Sequence, residues 1–217
     1  MDNRSTLAVF VVAVALLGAW APGAAQLELS TMSGDPDNPR RHYRVRNPAD
    51  LTARAAQASY ERLQPALATA YEGSGDTIAM QYQSWRRHNT APYLSSTHGN
   101  YFINNFTNDI AARAYAKYEQ SGVMPVGSII AKDSFAQSSD GATLMGPLFI
   151  MEKMAKGFNP GSADWRYRMI RPDGRLLGET NGVGSERVRY CIACHLNVEH
   201  QDHLFYVPQA VRVKWPD

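Results

Sequence analysis

The sequence predicts an α+β protein in which helices flank an antiparallel β-sheet. Apolar residues recur at helical spacing through the first half of the chain. After Gly122 the pattern changes to short apolar runs broken by Gly and Pro, which is typical of strands. One of these runs, residues 165–170, alternates apolar and charged residues as a half-buried antiparallel strand does.

A first helix is predicted within residues 47–75. Asn47 followed by Pro48 is typical of a helix start, because Asn caps free amide groups and Pro suits the first helical position. Pro65 is expected to kink or divide this helix, and Gly73 to end it. One stripe at helical spacing predicts its buried face: Ala56, Tyr60, Leu63, Leu67 and Ala70.

A second helix is predicted to begin after Asn108, whose side chain can cap it, and to end before Gly122. Asp109 suits the positive end of the helix dipole. We expect this helix to serve packing rather than chemistry. Its predicted apolar face consists of Ile110, Ala114, Tyr115 and Tyr118.

Three strands are predicted after the second helix, over residues 126–135, 144–154 and 165–170. In the third, Trp165, Tyr167 and Met169 alternate with arginines, so we expect one face of this strand to pack and the other to be wet. Residues 178–184 contain several glycines and predict a flexible approach to the motif that follows.

Residues 1–25 are predicted to be a secretory signal peptide. Arg4 and the free amine precede an apolar run over residues 7–20, and small residues precede Gln26. The run is short for a bilayer span, so an uncleaved anchor is the weaker alternative. Residues 26–46 are rich in turn formers and predict an extended leader without chemistry. We therefore expect a periplasmic protein with no stable membrane insertion after cleavage.

Length and charge narrow the function classes. The chain has 217 residues, enough for one domain with a sizeable core after removal of the signal peptide. Its net charge is only +2, and its basic residues are scattered along the sequence. This balance gives no electrostatic case for nucleic-acid binding.

Residues 191–195 read C-x-x-C-H, the attachment sequence of a c-type haem, and contain both cysteines of the chain. Positions three apart face the same way on one helical turn, so the thiols of Cys191 and Cys194 can reach the two vinyl groups of one haem. The adjacent His195 offers its imidazole to the iron as an axial ligand. The sequence therefore predicts one covalently bound haem c.

Two other uses of a C-x-x-C pair compete with haem. A redox disulfide is expected near a strand-helix-strand start rather than near the end of the chain. Cysteines that are merely buried, or linked in a structural disulfide, are a weaker alternative still, because an i, i+3 pair rarely meets disulfide geometry. A zinc site could recruit His200 and His203, but their spacing is tighter than usual and a distant second pair of ligands is normally needed. Export of the chain favours haem over both.

The position of the motif argues against a six-coordinate electron shuttle. Small electron-carrying cytochromes place a methionine ligand downstream of the haem motif, but no methionine follows Met169. Met145, Met151 and Met154 lie upstream and are expected to fill the core. We therefore expect an open or weakly ligated distal iron site. Five aromatic residues are candidates for the haem walls: Phe106, Phe149, Phe158, Trp165 and Tyr190.

From about residue 82 to 205 the sequence resembles the cytochrome P-460 family, which includes the cytochromes c′-beta. Of the short pieces that carry the resemblance, only C-x-x-C-H is specific by itself. The others support the resemblance through their order and spacing. These pieces are Tyr82 with Trp85, His98-Gly99-Asn100, residues 115–122, residues 127–132, Asp164-Trp165, residues 191–195 and residues 202–205. It implies a haem domain, which we assign to residues 76–217.

The resemblance also implies chemistry. In that family a lysine can be bonded covalently to the porphyrin, and cross-linked members oxidise hydroxylamine, whereas others bind nitric oxide or similar ligands. Lys132 matches the special lysine, on the same strand face as Ser128 and Ile130; the alternative is a solvent-facing strand lysine. The implied partners are a small nitrogen-containing substrate or gas ligand, a soluble redox partner and a second copy of the chain in a homodimer. A haem protein that only binds gas or transfers electrons stays open as the alternative function.

Overall fold

The computed structural model of the protein describes residue 27, residues 29–30 and residues 37–215. The predicted signal peptide, residues 1–25, lies outside the described residues. The described helices are α1 (Ala53–Glu72), α2 (Thr77–Gln81), α3 (Asp109–Tyr115) and α4 (Arg189–His195). The described strands are β1 (Leu29–Ser30), β2 (Arg44–Val45), β3 (Arg86–Arg87), β4 (Tyr93–Ser95), β5 (Tyr101–Thr107), β6 (Ile129–Gln137), β7 (Thr143–Met145), β8 (Leu148–Lys153), β9 (Trp165–Ile170) and β10 (Leu176–Glu179).

One antiparallel sheet organises the described part of the chain and confirms the predicted α+β class. Its strand order is β10-β9-β8-β6-β5-β3, with β4 added beside β5 and β7 beside β6. The short strands β1 and β2 pair separately. The predicted strand 165–170 matches β9, in which Trp165, Tyr167 and Met169 are buried as expected. The other face of β9 is half-buried rather than wet, because Arg168 forms ion pairs with Asp76 and Glu179.

Helix α1 differs from the prediction at its start and in its middle. It begins at Ala53, and the hydroxyl of Thr52 caps it by accepting from the amide of Ala55. Pro48 instead forms a bridge to Ser138. Pro65 lies inside an uninterrupted helix, so the expected division is wrong. Packing on the sheet compensates for the hydrogen bond that proline removes, since Tyr60, Leu67 and Tyr71 are all buried.

Polar contacts fix α1 to the first face of the sheet. The hydroxyls of Tyr60 and Tyr82 donate to the buried carboxylate of Asp133 over 2.7 and 3.2 Å, and Tyr71 donates to the carbonyl of Gly146 over 2.7 Å. Burial raises the pKa of Asp133. The apolar partners of α1 and α2 on this face include Phe102, Phe106, Phe135, Leu148, Ile150 and Ile170.

Helix α3 begins as predicted and ends early. The side chain of Asn108 accepts from the amide of Ala111, which confirms the cap, but the helix ends at Tyr115. Ile110 is 52% exposed, so its place on the predicted apolar face is wrong. The buried residues of this helix are Ala111, Ala112 and Tyr115, and of these Ala111 and Tyr115 belong to the apolar cluster on the second face of the sheet.

The predicted strand 144–154 is two strands, β7 and β8, separated by Gly146 and Pro147. A Cβ atom at Gly146 would lie 2.2 Å from the Ser134 hydroxyl, so only glycine allows the chain to pass there. The predicted flexible approach over 178–184 begins inside a strand, because β10 pairs with β9.

The second face of the sheet carries α3, α4 and residues 202–206. Its apolar cluster includes Met124, Trp165 and Leu204, with Cys191 and Ile192 packed against it. Within the described residues no helix has both the length and the apolar character needed to cross a membrane.

Candidate functional site

A cavity of about 540 Å³, counting space open to solvent, lies between the second face of the sheet and α4. It brings together the three residues of the C-x-x-C-H motif, Lys132, two further histidines and a largely apolar floor. The lining residues are His42, Thr97, His98, Ile130, Lys132, Phe149, Ile150, Met151, Tyr167, Arg168, Met169, Cys191, Cys194, His195 and Phe205.

The floor of this cavity consists of two parallel rows of side chains that cross strands β6, β8 and β9. Directly paired residues form each row, and the rows are two residues apart along each strand, about 6.6 Å. The first row is Ile130, Met151 and Tyr167, and the second row is Lys132, Phe149 and Met169.

Helix α4 presents the motif to the cavity. Cys191, Cys194 and His195 share this helix, as the sequence predicts, and all three line the cavity. Both cysteines are free thiols. Burial raises the pKa of the Cys191 thiol to about 12 and also raises that of Cys194, so both groups are neutral near pH 7. One wall of the cavity therefore carries two uncharged thiols and an imidazole.

The hydrogen bond of His195 fixes which ring nitrogen is free. Its Nδ1 lies 2.6 Å from the backbone carbonyl oxygen of His203. A carbonyl can only accept, so Nδ1 carries the proton and Nε2 keeps its lone pair. Burial, the larger cause, and the nearby Lys132 charge lower the pKa of His195 to about 3, so the ring is neutral. A neutral imidazole with Nδ1–H bonded to a carbonyl is the usual form of a metal-ligating histidine.

Two rings and a buried ion pair hold this arrangement. The rings of Tyr167 and Phe205 meet the His195 imidazole edge-on at centroid distances of 5.0 and 5.1 Å. Asp202, next to the carbonyl that orients His195, accepts from the Lys153 ammonium over 2.6 Å, and both side chains are buried. The amide of Met124 donates to the same carboxylate.

Lys132 is buried in the cavity, so the solvent-facing alternative is wrong. Its residue is only 4% exposed, and its Nζ lies 3.5 Å from the backbone carbonyl of Phe205. Ile130 shares its strand face, as alternation predicts, and lines the same cavity. Burial lowers the pKa of Lys132 to about 8, so this amine loses its proton more readily than an ordinary lysine, although most of it is charged near pH 7.

Sequence reasoning did not predict ten of the lining residues as cavity residues, and the most consequential of them are His42, His98, Tyr167 and Phe205. Tyr167 was expected only to pack. His42 lies in the leader from which we expected no chemistry, and His98 lies in a turn after β4. Nothing in the local pattern of either segment marks a histidine as part of a site; only the tertiary fold brings them to the motif.

Of the five aromatic candidates, only Phe149 lines the cavity. Phe106 is wrongly predicted, because it lies on the opposite face of the sheet against Tyr82. Trp165 supports residues 202–203 by donating from its indole nitrogen to the Asp202 carbonyl over 2.8 Å. Tyr190 lies behind Phe149, and neither it nor Phe158 is a lining residue.

The side chains fit a covalently bound haem better than a zinc ion. Zinc in a structural site takes four ligands, and no group of three or more His, Cys, Asp or Glu in the described part of the chain is arranged to hold a metal. A haem needs two thiols, one imidazole and apolar walls, all of which face this cavity. Met151 and Met169 lie in the floor, whereas Met145 lines a neighbouring cavity.

Comparison with known proteins agrees with this geometry. Residues 79–206 match the family model described as Cytochrome P460, and the match includes the whole floor, α4 and residues 202–205. No curated protein matches the chain significantly.

Proposed function

The chain belongs to the cytochrome P460 family, and from that premise we propose that it is an exported mono-haem c-type cytochrome with an open distal iron site, acting in redox chemistry on hydroxylamine or nitric-oxide-type nitrogen species. Membership of the family implies a haem cofactor. The main observation in support of a covalently bound haem c is that Cys191, Cys194 and the free Nε2 of His195 converge on one cavity.

In this proposal Cys191 and Cys194 form the two thioether bonds, and His195 is the proximal iron ligand. The bound haem iron supplies the site for a small ligand and the route for electrons. The protein residues orient the iron ligand and exclude water. The His203 carbonyl holds the His195 ring in place, and the two rows that contain Ile130 and Phe149 form a floor that excludes water.

We propose that Lys132 forms a third covalent attachment to the haem. The support is its burial beside Cys194 and His195 and the lowered pKa of its amine, which makes it a nucleophile. Formation of the link would replace one N–H bond and one ring C–H bond by a C–N bond. That change releases two protons and two electrons, so it needs an external oxidant such as a peroxide.

The alternative function is a protein that binds a gas or transfers electrons without oxidising substrate. One observation favours it: no carboxylate is among the described cavity-lining residues, so no acidic side chain there accepts protons from a substrate. The open distal site is common to both functions, and turnover separates them.

Export, the soluble redox partner and the homodimer belong to the same proposal. Residues 1–25 would direct the chain to the periplasm, where haem is attached to C-x-x-C-H in bacteria, and a soluble acceptor would take the electrons. The mature chain would begin at Gln26.

Hydroxylamine turnover with a soluble electron acceptor tests the enzyme proposal. We expect the haem-loaded protein to reduce the acceptor, and Lys132→Met to lower kcat at least about tenfold, a barrier increase of about 1.4 kcal/mol. Lys117→Met is the matched control, because Lys117 is exposed and outside the cavity, and it should behave like wild type.

If the wild-type protein binds nitric oxide but does not reduce the acceptor, the enzyme proposal is contradicted and the binding function is supported. Equal rates for wild type and Lys132→Met would remove Lys132 from catalysis.

A further inference from the structure

A pair of histidines lies at the cavity away from the motif. The rings of His42 and His98 stack with a centroid distance of 5.4 Å and an interplanar angle of 27°. Both rings also contact Phe149, at 5.0 and 4.9 Å. His98 is only 7% exposed.

The histidine pair and His195 lie over different rows of the floor. His195 contacts Tyr167, which ends the first row, whereas His42 and His98 contact Phe149, in the middle of the second row. The rows are about 6.6 Å apart. A planar group attached through α4 and bound by His195 would therefore have the histidine pair on its other side.

Hydroxyl groups around His98 indicate the position of its ring proton. The Ser95 hydroxyl lies 2.9 Å from Nδ1 of His98, and the Thr97 hydroxyl lies 3.3 Å from both Nδ1 and the Ser95 oxygen. If Nδ1 accepts from Ser95 and the Ser95 oxygen accepts from Thr97, every hydrogen in this group has a partner. The proton of the neutral ring then lies on Nε2, which has no hydrogen bond to the described residues.

This is the opposite tautomer to that of His195. The carbonyl beside His195 can only accept and so leaves a lone pair on Nε2, as an iron ligand requires, whereas the hydroxyls beside His98, donating as assigned above, leave an N–H group on Nε2. Burial keeps the pKa of His98 well below its ordinary value, so the ring has one N–H and no charge.

We propose that His98 donates a hydrogen bond from Nε2 to a small ligand bound on the distal side of the haem iron, and that His42 is a positioning residue that holds the His98 ring. The ligand class is a small molecule whose outer atom has a lone pair, such as a diatomic gas, cyanide or hydroxylamine. This inference rests on the proposed function, because it requires the haem and an open distal site.

His42 is itself held by contacts that suit a positioning role. The Tyr190 hydroxyl lies 2.8 Å from its Nδ1, and the two rings meet edge-on at 4.7 Å. Tyr190 directly precedes Cys191 in α4, so the helix that carries the motif also braces the pair. His42 and Met169 line a neighbouring cavity as well, which places the pair where that cavity meets the main one.

The test uses the haem-loaded protein and two probes, carbon monoxide on ferrous iron and cyanide on ferric iron. In His98→Leu we expect the C–O stretch of bound carbon monoxide to shift to higher frequency and cyanide to dissociate about tenfold faster, equivalent to a hydrogen bond of about 1.4 kcal/mol. His98→Gln keeps an N–H donor and should fall between wild type and Leu. His42→Phe keeps the ring stack and should shift the stretch less than His98→Leu.

His200→Leu is the matched control, because His200 is exposed and does not line the cavity; both readouts should equal wild type. An unchanged stretch and cyanide rate in His98→Leu, with haem attached, would overturn the inference alone. Conversion of a six-coordinate wild type to five-coordinate iron in His98→Leu would also overturn it, by making His98 a ligand. Wild-type protein without haem, or with haem that binds neither probe, would instead contradict the proposed function.

Discussion

His195→Ala, with both cysteines kept, leaves haem attached to the protein but removes the proximal iron bond. The physical reason is that attachment and ligation use different side chains, the two thiols and the imidazole Nε2. We expect a large change in the visible absorption spectrum of the variant. Added free imidazole should restore much of the wild-type spectrum, because it can occupy the space vacated by the ring.

His200→Ala provides the control for this variant, since His200 follows α4 closely but is exposed. Its spectrum should equal that of wild type. An unchanged spectrum in His195→Ala would remove His195 from the ligand role, and loss of all haem would show that attachment depends on the histidine.

Asp202→Asn should cause a large loss of stability. The Lys153 ammonium would lose the carboxylate that lies 2.6 Å from it while it stays buried, and breaking a buried ion pair in this way costs about 3–5 kcal/mol of unfolding free energy. Asn tolerates the left-handed backbone of this position, where φ is 54°. The loss of stability is therefore due to the removed charge and not to backbone strain. Urea unfolding of the apoprotein measures it.

Two further variants isolate the ion pair. Asp173→Asn breaks an exposed pair with Arg175 and should cost far less unfolding free energy, because solvent screens both charges. Adding Lys153→Met to Asp202→Asn removes the unpaired charge and should recover much of the loss. Equal costs for Asp202→Asn and Asp173→Asn, or no recovery in the double variant, would contradict a structural role for the pair.

The parts of the fold predicted from sequence are those with strong local signals. Strand β9 follows from strict alternation, the start of α3 from the Asn108 cap, and the placement of the motif on one helical turn from its spacing. The predicted start of α1 was wrong because Asn47-Pro48 and Thr52 are both plausible helix starts in sequence, and the structure uses Thr52. The predicted division at Pro65 was wrong because the packing of α1 on the sheet outweighs the cost of the hydrogen bond that proline removes.

The candidate site shows the same division between local and tertiary information. Cys191, Cys194 and His195 form a contiguous motif, and the resemblance to the family singled out Lys132, which the fold buries beside them. His42 and His98 come from a polar leader and a turn. Neither segment has a helical or strand periodicity from which a buried side chain could be predicted. The fold brings the Tyr190 hydroxyl to His42, whereas His98 contacts the hydroxyls of Ser95 and Thr97 within its own turn.

A peptide map with intact mass of the holoprotein, made in a host that attaches haem c, tests the central claim most directly. We predict a mature chain that begins at Gln26, a mass greater than the polypeptide by one haem, and a haem peptide that contains both Cys191 and Cys194. A further attachment at Lys132 would establish the third bond. Apoprotein with bound zinc, or haem joined to neither cysteine, would contradict the account.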